Sequence, residues 1–324
     1  MDIPTQRLIP NIWIDHDAEG AGRFYQSALP FARAAVESWY PAGADEGLAD
    51  FQQDFAGQPL TVALEVHGTL LRLINGGPAF RPTPSLSFML NFDPLLFSSP
   101  DEGGPAVPDA ADDELRARAA LEATWRALAD GGVVRMEWGA YPFSALYGWV
   151  EDRYGVNWQL MLTDPAGDPR PFVVPALMFG GRAQDKAAEA ADFYVDLLAD
   201  TPGGAAIGHR FPYGQPTGPA SADALAYGEF RVGEQWLVAS DFGADHAFSF
   251  SEGVSLEVRC SGQAEIDRLW AALSRDPEAE ACGWCRDRYG VSWQVVPEDI
   301  ERLMARPGAY RNLLSMKRIV IADL

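Results

Sequence analysis

Three side chains in the first quarter of the chain have the chemistry of metal ligands. His16 stands between Asp15 and Asp17, and Glu65 and His67 lie two residues apart in a strand-like run. Residues two apart on a strand point to the same face, so Glu65 and His67 form a candidate ligand pair. Imidazole and carboxylate groups together suit first-row divalent ions. The interpretation we prefer is structural: Asp17 caps a helix, a position that aspartate favours, and Glu65 and His67 form a hydrogen-bonded pair.

Cys282 and Cys285 form a single C-x-x-C motif. A reactive pair normally lies at the N-terminus of a helix, where the thiolate is stabilised. Here the motif aligns with residues 147–150 of an earlier strand-like segment, and the sequence has no second C-x-x-C to complete a zinc site. We therefore expect reduced thiols without a redox or metal-binding role.

An internal repeat organises the elements that would position these residues. The segment 148–159, GWVEDRYGVNWQ, recurs at 283–294 as GWCRDRYGVSWQ, at a constant offset of 135 residues. Matches upstream keep the same order, and the turn-forming segment 164–171 separates the two copies. We place a first domain at 1–164, a second domain at 172–300 and a C-terminal extension at 301–324.

Apolar spacing predicts the same elements in each copy. A short strand precedes a helix that begins near Asp17, and its counterpart in the second copy has helical spacing over 187–198. The spacing then predicts strands over 61–66, 70–74 and 86–91, a helix containing Leu121, Trp125 and Leu128, and strands over 133–138, 147–151 and 157–162. This order is typical of an α+β fold with two βαβββ units in each half and four in the chain.

Composition excludes several classes of partner. The chain has 46 acidic and 25 basic residues, a net charge of −21, which argues against nucleic acid and anionic membranes. No apolar run approaches the ~20 residues that span a bilayer, and the N-terminus lacks the pattern of a secretory signal. We therefore expect a cytoplasmic protein in which Cys260, Cys282 and Cys285 are reduced.

Three segments resemble the PhnB-like branch of the glyoxalase/bleomycin-resistance/dioxygenase, or vicinal-oxygen-chelate, superfamily. They are the opening segment 9–25, the central segment 75–88 and the closing motif 148–159. The resemblance implies tandem glyoxalase-like domains, each of two βαβββ units that form a curled mixed sheet with an open cup. Family members have been labelled demethylubiquinone methyltransferases. This chain, however, lacks a glycine-rich turn between a strand and a helix that could hold S-adenosylmethionine.

The resemblance also locates the places where the superfamily carries metal ligands. In the two halves these fall near Pro10 and Pro175, near Ser85 and Gly253, and at Gln159 and Gln294. Proline and glycine have no ligating side chain, and a neutral amide is a poor replacement for a carboxylate. No cofactor is therefore predicted.

The function we predict is metal-free binding of a small neutral molecule in the cup. Alternation along the strands places Trp158 and Trp293 beneath the helices if the neighbouring glutamines face the cup. The cup would then be lined by two amides, a hydroxyl and a thioether among apolar groups, namely Asn157, Gln159, Met161, Ser292 and Gln294.

Two alternatives stay open. One is a metal-dependent lyase, isomerase or dioxygenase with His16, Glu65 and His67 as irregular ligands, which requires them to converge within ~2.0–2.3 Å of one divalent ion. The other is a non-catalytic interaction module that associates with further copies of the chain through sheet edges.

Overall fold

The protein is described by a computed structural model over residues 6–43, 47–98 and 110–324. Within these ranges, fifteen strands form two mixed sheets. From edge to edge, the seven-stranded sheet contains β14 (Trp284–Arg286), β15 (Ser292–Pro297), β13 (Val254–Cys260), β1 (Leu8–Ile14), β4 (Thr69–Asn75), β3 (Pro59–Val66) and β2 (Ala32–Trp39). The eight-stranded sheet contains β10 (Ala205–Pro212), β11 (Leu225–Val232), β12 (Gln235–Asp241), β9 (Val173–Phe179), β5 (Leu86–Phe92), β8 (Asn157–Leu162), β7 (Ser144–Glu151) and β6 (Val133–Tyr141).

Helices α1 (Ala18–Ala28), α2 (Ala110–Ala129), α3 (Ala187–Leu197) and α4 (Gln263–Leu273) cover one face of each sheet. Helices α5 (Ile300–Met304) and α6 (Ala309–Ser315) follow the last strand. The N-cap of α1 is Asp17, whose carboxylate accepts from the backbone N–H of Gly20 at 2.9 Å. The capping role preferred for Asp17 is therefore confirmed. No helix in the described ranges is long and apolar enough to cross a bilayer.

Each sheet combines one unit from each half of the sequence; three of the units are βαβββ, and the last, β13 to β15 with α4, is βαββ. Strands β1–β4 share a sheet with β13–β15, and β5–β8 share a sheet with β9–β12. The halves join through antiparallel pairs, β1 with β13 and β5 with β9. The α+β expectation with glyoxalase-like units is confirmed, but the two units of one half do not lie together in one sheet. Each of the four repeated units presents a similar strand edge. The sequence does not show which of these edges pair with each other.

Two strands, β2 and β10, were not predicted from the sequence. Both are sheet edges with mixed burial; in β2 half-buried and exposed side chains alternate along the whole strand. An edge strand with one solvent-exposed face carries few large apolar residues, so the apolar alternation that would predict the strand is weak.

The large apolar side chains face the helices. Along β8, Trp158, Leu160 and Leu162 belong to the main core, and Trp158 is fully buried. Trp293 is buried in the same way in the second half. The prediction that these two tryptophans lie beneath the helices is confirmed, and the opposite faces of the sheets are left for other contacts.

The repeated DRYGV segment forms the same hydrogen-bonded turn in both halves. The Asp152 carboxylate accepts from the Tyr25 hydroxyl and from Trp158 Nε1, each at 2.8 Å. It also accepts from the backbone N–H groups two and four residues ahead, at 2.8 and 3.1 Å. Asp287 repeats this arrangement with its own tyrosine and tryptophan. The motif therefore ties the β7–β8 and β14–β15 turns to α1 and α3.

The segment after β15 lies along the edge strand β14 and against the seven-stranded sheet. The backbone N–H groups of Cys282 and Gly283 donate to the carbonyl groups of Met316 and Lys317, both at 2.7 Å. Ile319 is fully buried, and a Cβ placed on Gly283 would come within 2.9 Å of its side chain. Gly283, with φ of +87°, therefore permits both the turn and the close approach of this segment.

Candidate functional site

The two sheets carry equivalent residues on the faces that point away from α1–α4. In the eight-stranded sheet, Met89 on β5 is paired with Val174 and Gln159, and Val238 on β12 is paired with Ala176. Because paired residues share a face, these five side chains lie together. We call this face the open cup.

The floor of the open cup is apolar and separate from the main core. Met89, Val174, Ala176 and Val238 form their own buried cluster, and Met161 packs against it. Above this floor lies a cavity of about 270 Å³. At about 30 Å³ per water molecule, that is the volume of about nine waters. A small organic molecule therefore fits.

One rim of the cavity is an ion pair between the inter-half linker and β11. Arg170 donates through Nε and Nη2 to the two carboxylate oxygens of Glu229, at 3.0 and 2.9 Å. The guanidinium stacks on Trp236, 4.1 Å from the ring centroid, and the Tyr227 hydroxyl donates to Glu229 at 2.8 Å. Burial raises the pKa of Glu229, but the hydrogen bonds from Arg170 and Tyr227 lower it overall, so Glu229 is ionised at neutral pH.

The equivalent face of the seven-stranded sheet, which we call the sealed cup, is filled by charged side chains. Arg72 forms an ion pair with Glu257, and its Nε donates to Glu37 at 2.8 Å. Arg259 binds the other oxygen of Glu257 at 2.9 Å and pairs with Glu301 of α5. Burial opposes both charges, but the carboxylates raise the pKa of Arg72, and the two arginines lower the pKa of Glu257. Both groups therefore stay charged.

The register shows which residues changed between the two cups. Glu257 is paired with Ile9 and Gln294, so it occupies the position that Met89 has in the open cup. Arg72 is paired with Asn11, so it occupies the position of Val238. Two apolar floor residues of one cup are thus an ion pair in the other.

The residues predicted to line the cup in the first half lie on the expected face of β8. Gln159 is held at both ends of its amide, since Nε2 donates to Ser87 at 2.8 Å and Oε1 accepts from Tyr147 at 2.8 Å. Asn157 is fully buried and accepts from the indole of Trp149 at 3.2 Å. Of the three, Met161 borders the cavity.

Ser292 and Gln294 lie on the sealed cup, away from the cavity. Gln294 Nε2 donates to Ser255 at 2.9 Å, the same bond that Gln159 makes in the other sheet. The structure therefore divides the five predicted lining residues between two cups.

His16, Glu65 and His67 do not come together. His16 follows β1 at the end where that strand pairs with the last residues of β4, whereas Glu65 pairs with Leu70 near the start of β4. His16 forms a hydrogen bond to Asp15 and stacks on a phenylalanine ring, while the ring of His67 lies 5.0 Å from that of Phe31. Opposite ends of a strand of this length cannot share one ion.

The places that the resemblance suggested for metal ligands on the opening strands lie near Pro10 and Pro175. These two prolines point toward the helices, because each is paired with a residue of that face. The cup-face side chains on either side of them are Ile9 and Asn11 in one half, and Val174 and Ala176 in the other. Side chains alternate along a strand, so an offset of one residue moves the position to the other face.

The open cup does not fit the divalent metal that the resemblance implies. Its floor offers thioethers, aliphatic groups and the amide of Gln159, which is already hydrogen-bonded at both ends. Hard divalent ions prefer carboxylate, imidazole and water ligands. In the part of the chain that the structure describes, no group of three or more His, Cys, Asp or Glu side chains could hold a metal ion.

The cysteines have the properties of structural thiols. All three are free, and burial raises the pKa of Cys260 and of Cys285 to about 12. Burial also raises the pKa of Cys282. A thiol with a raised pKa is a poor nucleophile at neutral pH.

Sequence reasoning missed the polar residues of the open cup: Asn91, Arg170, Tyr227 and Glu229. Glu229 carried a signal, because a carboxylate interrupts the apolar pattern of β11. Arg170 carried none, since it lies in a segment whose composition indicates only a linker.

A protein-family model, described as 3-demethylubiquinone-9 3-methyltransferase, matches residues 114–161 and 171–296. No curated protein matches the chain.

Several solved structures are similar to this chain. A PhnB protein from Bacillus cereus is 23% identical, with 49% of this chain and 100% of that one covered and a TM-score of 0.35. A protein from Pseudomonas aeruginosa is 19% identical, with 47% and 93% covered and a TM-score of 0.31. Glyoxalase I from Zea mays is 10% identical, with 93% and 96% covered and a TM-score of 0.45.

Proposed function

This chain belongs to the PhnB-like 3-demethylubiquinone-9 3-methyltransferase family, and from that premise we propose that it binds one small organic molecule in the open cup without a metal ion. The observation that carries the proposal is the cavity of about 270 Å³ over the cluster of Met89, Val174, Ala176 and Val238. An apolar floor with a few oriented polar groups at its rim is typical of small-molecule sites.

The contrast between the two cups supports a single site. In the sealed cup, Arg72 and Glu257 occupy the volume above the floor, and α5 adds Glu301 to the same network. In the open cup the equivalent side chains are Val238 and Met89, which leave space. One ligand per chain is therefore the proposed stoichiometry.

Methyl transfer, the activity in the family's description, is not part of the proposal. Gly20 and Gly22 lie inside α1, and a Cβ on Gly22 would come within 2.9 Å of Val62. Gly22 therefore serves helix–sheet packing rather than a turn around a cofactor.

Titration of the full chain with benzyl alcohol, followed by protein NMR, tests the proposal. We expect saturable binding with a dissociation constant on the order of 1 mM, because so small a ligand has few contacts to offer. Shifts should concentrate on the methyl groups of Met89, Met161, Val174 and Val238. The double variant M89E/V238R places the charged pair of the sealed cup in the open cup and should abolish binding.

The matched control is L115E/V133R, which introduces the same charges at positions 64% and 52% exposed. It should bind as the original chain does, and near-UV circular dichroism checks that both variants are folded. Shifts that do not saturate, or equal binding by M89E/V238R and the original chain, would reject the proposal.

A further inference from the structure

The polar groups of the open cup are predominantly acceptors, and we infer that its ligand is a small primary ammonium ion carrying an apolar group. This inference rests on the proposed function, since it concerns the same site. It replaces the neutral ligand expected from the sequence with one that brings hydrogen-bond donors and a positive charge.

Three of the five N–H donors of Arg170 are committed within the protein. Arg170 uses Nε and Nη2 for Glu229, at 3.0 and 2.9 Å, and Nη1 for the carbonyl of Pro169, at 3.0 Å. The Tyr227 hydroxyl donates to the same carboxylate at 2.8 Å. A ligand carboxylate would therefore compete with Glu229 for the charge of Arg170.

Asn91 brings an acceptor to the cavity. Asn91 borders the cavity and is 4% exposed. Its Nδ2 donates to the carbonyl of Pro171 at 2.9 Å, which fixes the orientation of the amide. The amide oxygen, Oδ1, is left to accept from solvent or from a ligand N–H group.

The charge around the cavity favours a cation. Asp93, Asp164 and Asp168 line it in addition to Glu229, while Arg170 neutralises only Glu229 fully. Asp168 lies 3.9 Å from Arg170 and 3.4 Å from His209 Nε2. Three carboxylates therefore face one imidazole, in a chain whose net charge is −21. Such a rim attracts cations and repels anions.

The shape of the site fixes the rest of the ligand. The cavity has the volume of about nine water molecules, which gives room for a ring or short branched chain and its polar group. The apolar group would lie on Met89, Met161 and Val174, with the ammonium directed toward Asn91 and the acidic rim. An –NH₃⁺ group has three donors, enough for Asn91 Oδ1, one carboxylate and a water molecule.

Three probes with the same aromatic body test the inference by isothermal titration of the full chain: benzylamine, benzyl alcohol and benzoate. Near neutral pH the amine is protonated. We expect benzylammonium to bind at least about tenfold more tightly than benzyl alcohol, and benzoate to bind weakest, because a charge-assisted hydrogen bond is stronger than a neutral one. The preference should shrink as salt rises from about 20 to about 300 mM, since the rim carboxylates are solvated.

Two variants separate the contributions. D164N/D168N keeps the shape and the acceptor of the turn at Asp164, so the preference for benzylammonium over benzyl alcohol should fall several-fold. The matched control, D112N/D196N, removes two acids from α2 and α3 on the opposite face of the sheet and should leave the preference unchanged. N91L should weaken benzylammonium binding by about tenfold.

The outcomes distinguish the two proposals. If benzyl alcohol saturates the site and benzylammonium binds no more tightly, or if D164N/D168N leaves the preference intact, the ammonium inference is wrong and the binding function stands. If none of the three probes binds, the proposed function itself is overturned.

Discussion

At the scale of single residues, Asp152 shows how one buried carboxylate can account for a sequence motif. It is 3% exposed and accepts hydrogen bonds from a tyrosine, a tryptophan and two backbone N–H groups. These donors require particular residue types at fixed positions around the aspartate. This requirement explains why the DRYGV segment is the best-preserved part of the repeat. The motif indicates the family, yet it serves folding rather than ligand binding.

Asp152→Asn should destabilise the protein and change the pH dependence of its stability. Burial raises the pKa of Asp152 to about 6, against the opposing effect of its hydrogen bonds. A carboxyl with a raised pKa in the folded state holds its proton more tightly there, so its stabilising contribution is largest below about pH 4 and is lost as the pH rises through about 6. The amide in D152N does not titrate. Its NH₂ group faces other hydrogen-bond donors, which should lower the free energy of unfolding by about 1–3 kcal/mol.

Urea unfolding of the original chain and of D152N between pH 4 and 7 measures both effects. The difference in unfolding free energy should shrink as the pH rises. D112N, on the solvated start of α2, is the control and should stay within about 0.5 kcal/mol of the original chain. A constant difference across the pH range would contradict a raised pKa.

The face of the sheet on which a side chain lies could be predicted only for strands where a sequence motif shows which side chains are buried. The closing motif placed Gln159 and Gln294 on the cup faces and the tryptophans that precede them beneath the helices. The opening strand has no such anchor, so its ligand place was located only near Pro10, whose cup-face neighbours are Ile9 and Asn11. Asn91 was not recognised because its role depends on a carbonyl, that of Pro171, 80 residues away.

At the scale of elements, the segment that contains α5 and α6 acts as a cover for one sheet. Leu303, Ile319 and Leu324 are buried with Val296 of β15 in a cluster separate from the main core. The carbonyls of residues 316 and 317 accept from the backbone N–H groups of Cys282 and Gly283, immediately before β14. The segment is thereby held at the start of this edge strand. The sequence indicated only a C-terminal extension here, and not which part of the fold it would contact.

Leu303→Ala should lower the unfolding free energy by about 2–4 kcal/mol, because it leaves a cavity between α5 and the seven-stranded sheet. Leu303 is 1% exposed, whereas Leu115 on α2 is 64% exposed. Leu115→Ala is therefore the matched control and should cost less than about 0.5 kcal/mol. Chemical denaturation measures both values. Equal small losses would show that the segment is not held against the sheet by this contact.

At the scale of the whole molecule, the halves of the sequence are not the halves of the structure. Each sheet is completed across an antiparallel pair of strands from different copies, β1 with β13 and β5 with β9. The presence of four repeated units could be predicted, because each has its own periodicity and turns, although the last has one strand fewer than the βαβββ pattern predicts. Their pairing could not, since every unit ends in a similar edge and backbone hydrogen bonds do not distinguish among them.

Residues 1–164 and 172–324, produced as separate chains, should each fold poorly and should fold when mixed. Each fragment supplies one unit to each sheet, so alone it exposes two apolar unit faces and two strand edges. Sedimentation velocity should show a 1:1 complex in the mixture, and near-UV circular dichroism should regain the signal of the intact chain. Two stable monomeric fragments that do not associate would contradict an arrangement in which each sheet contains strands from both halves.

The ion pair in the sealed cup affects which halves of the chain can assemble with each other. Arg72 comes from the first half and Glu257 from the second. Were a half to assemble with its own copy, Arg72 would face Met89 and keep only Glu37, or Glu257 would face Val238 and keep only Arg259. A buried ion pair would then be broken, which destabilises the assembly. The pair therefore favours the association of unlike halves over a symmetric dimer of either half.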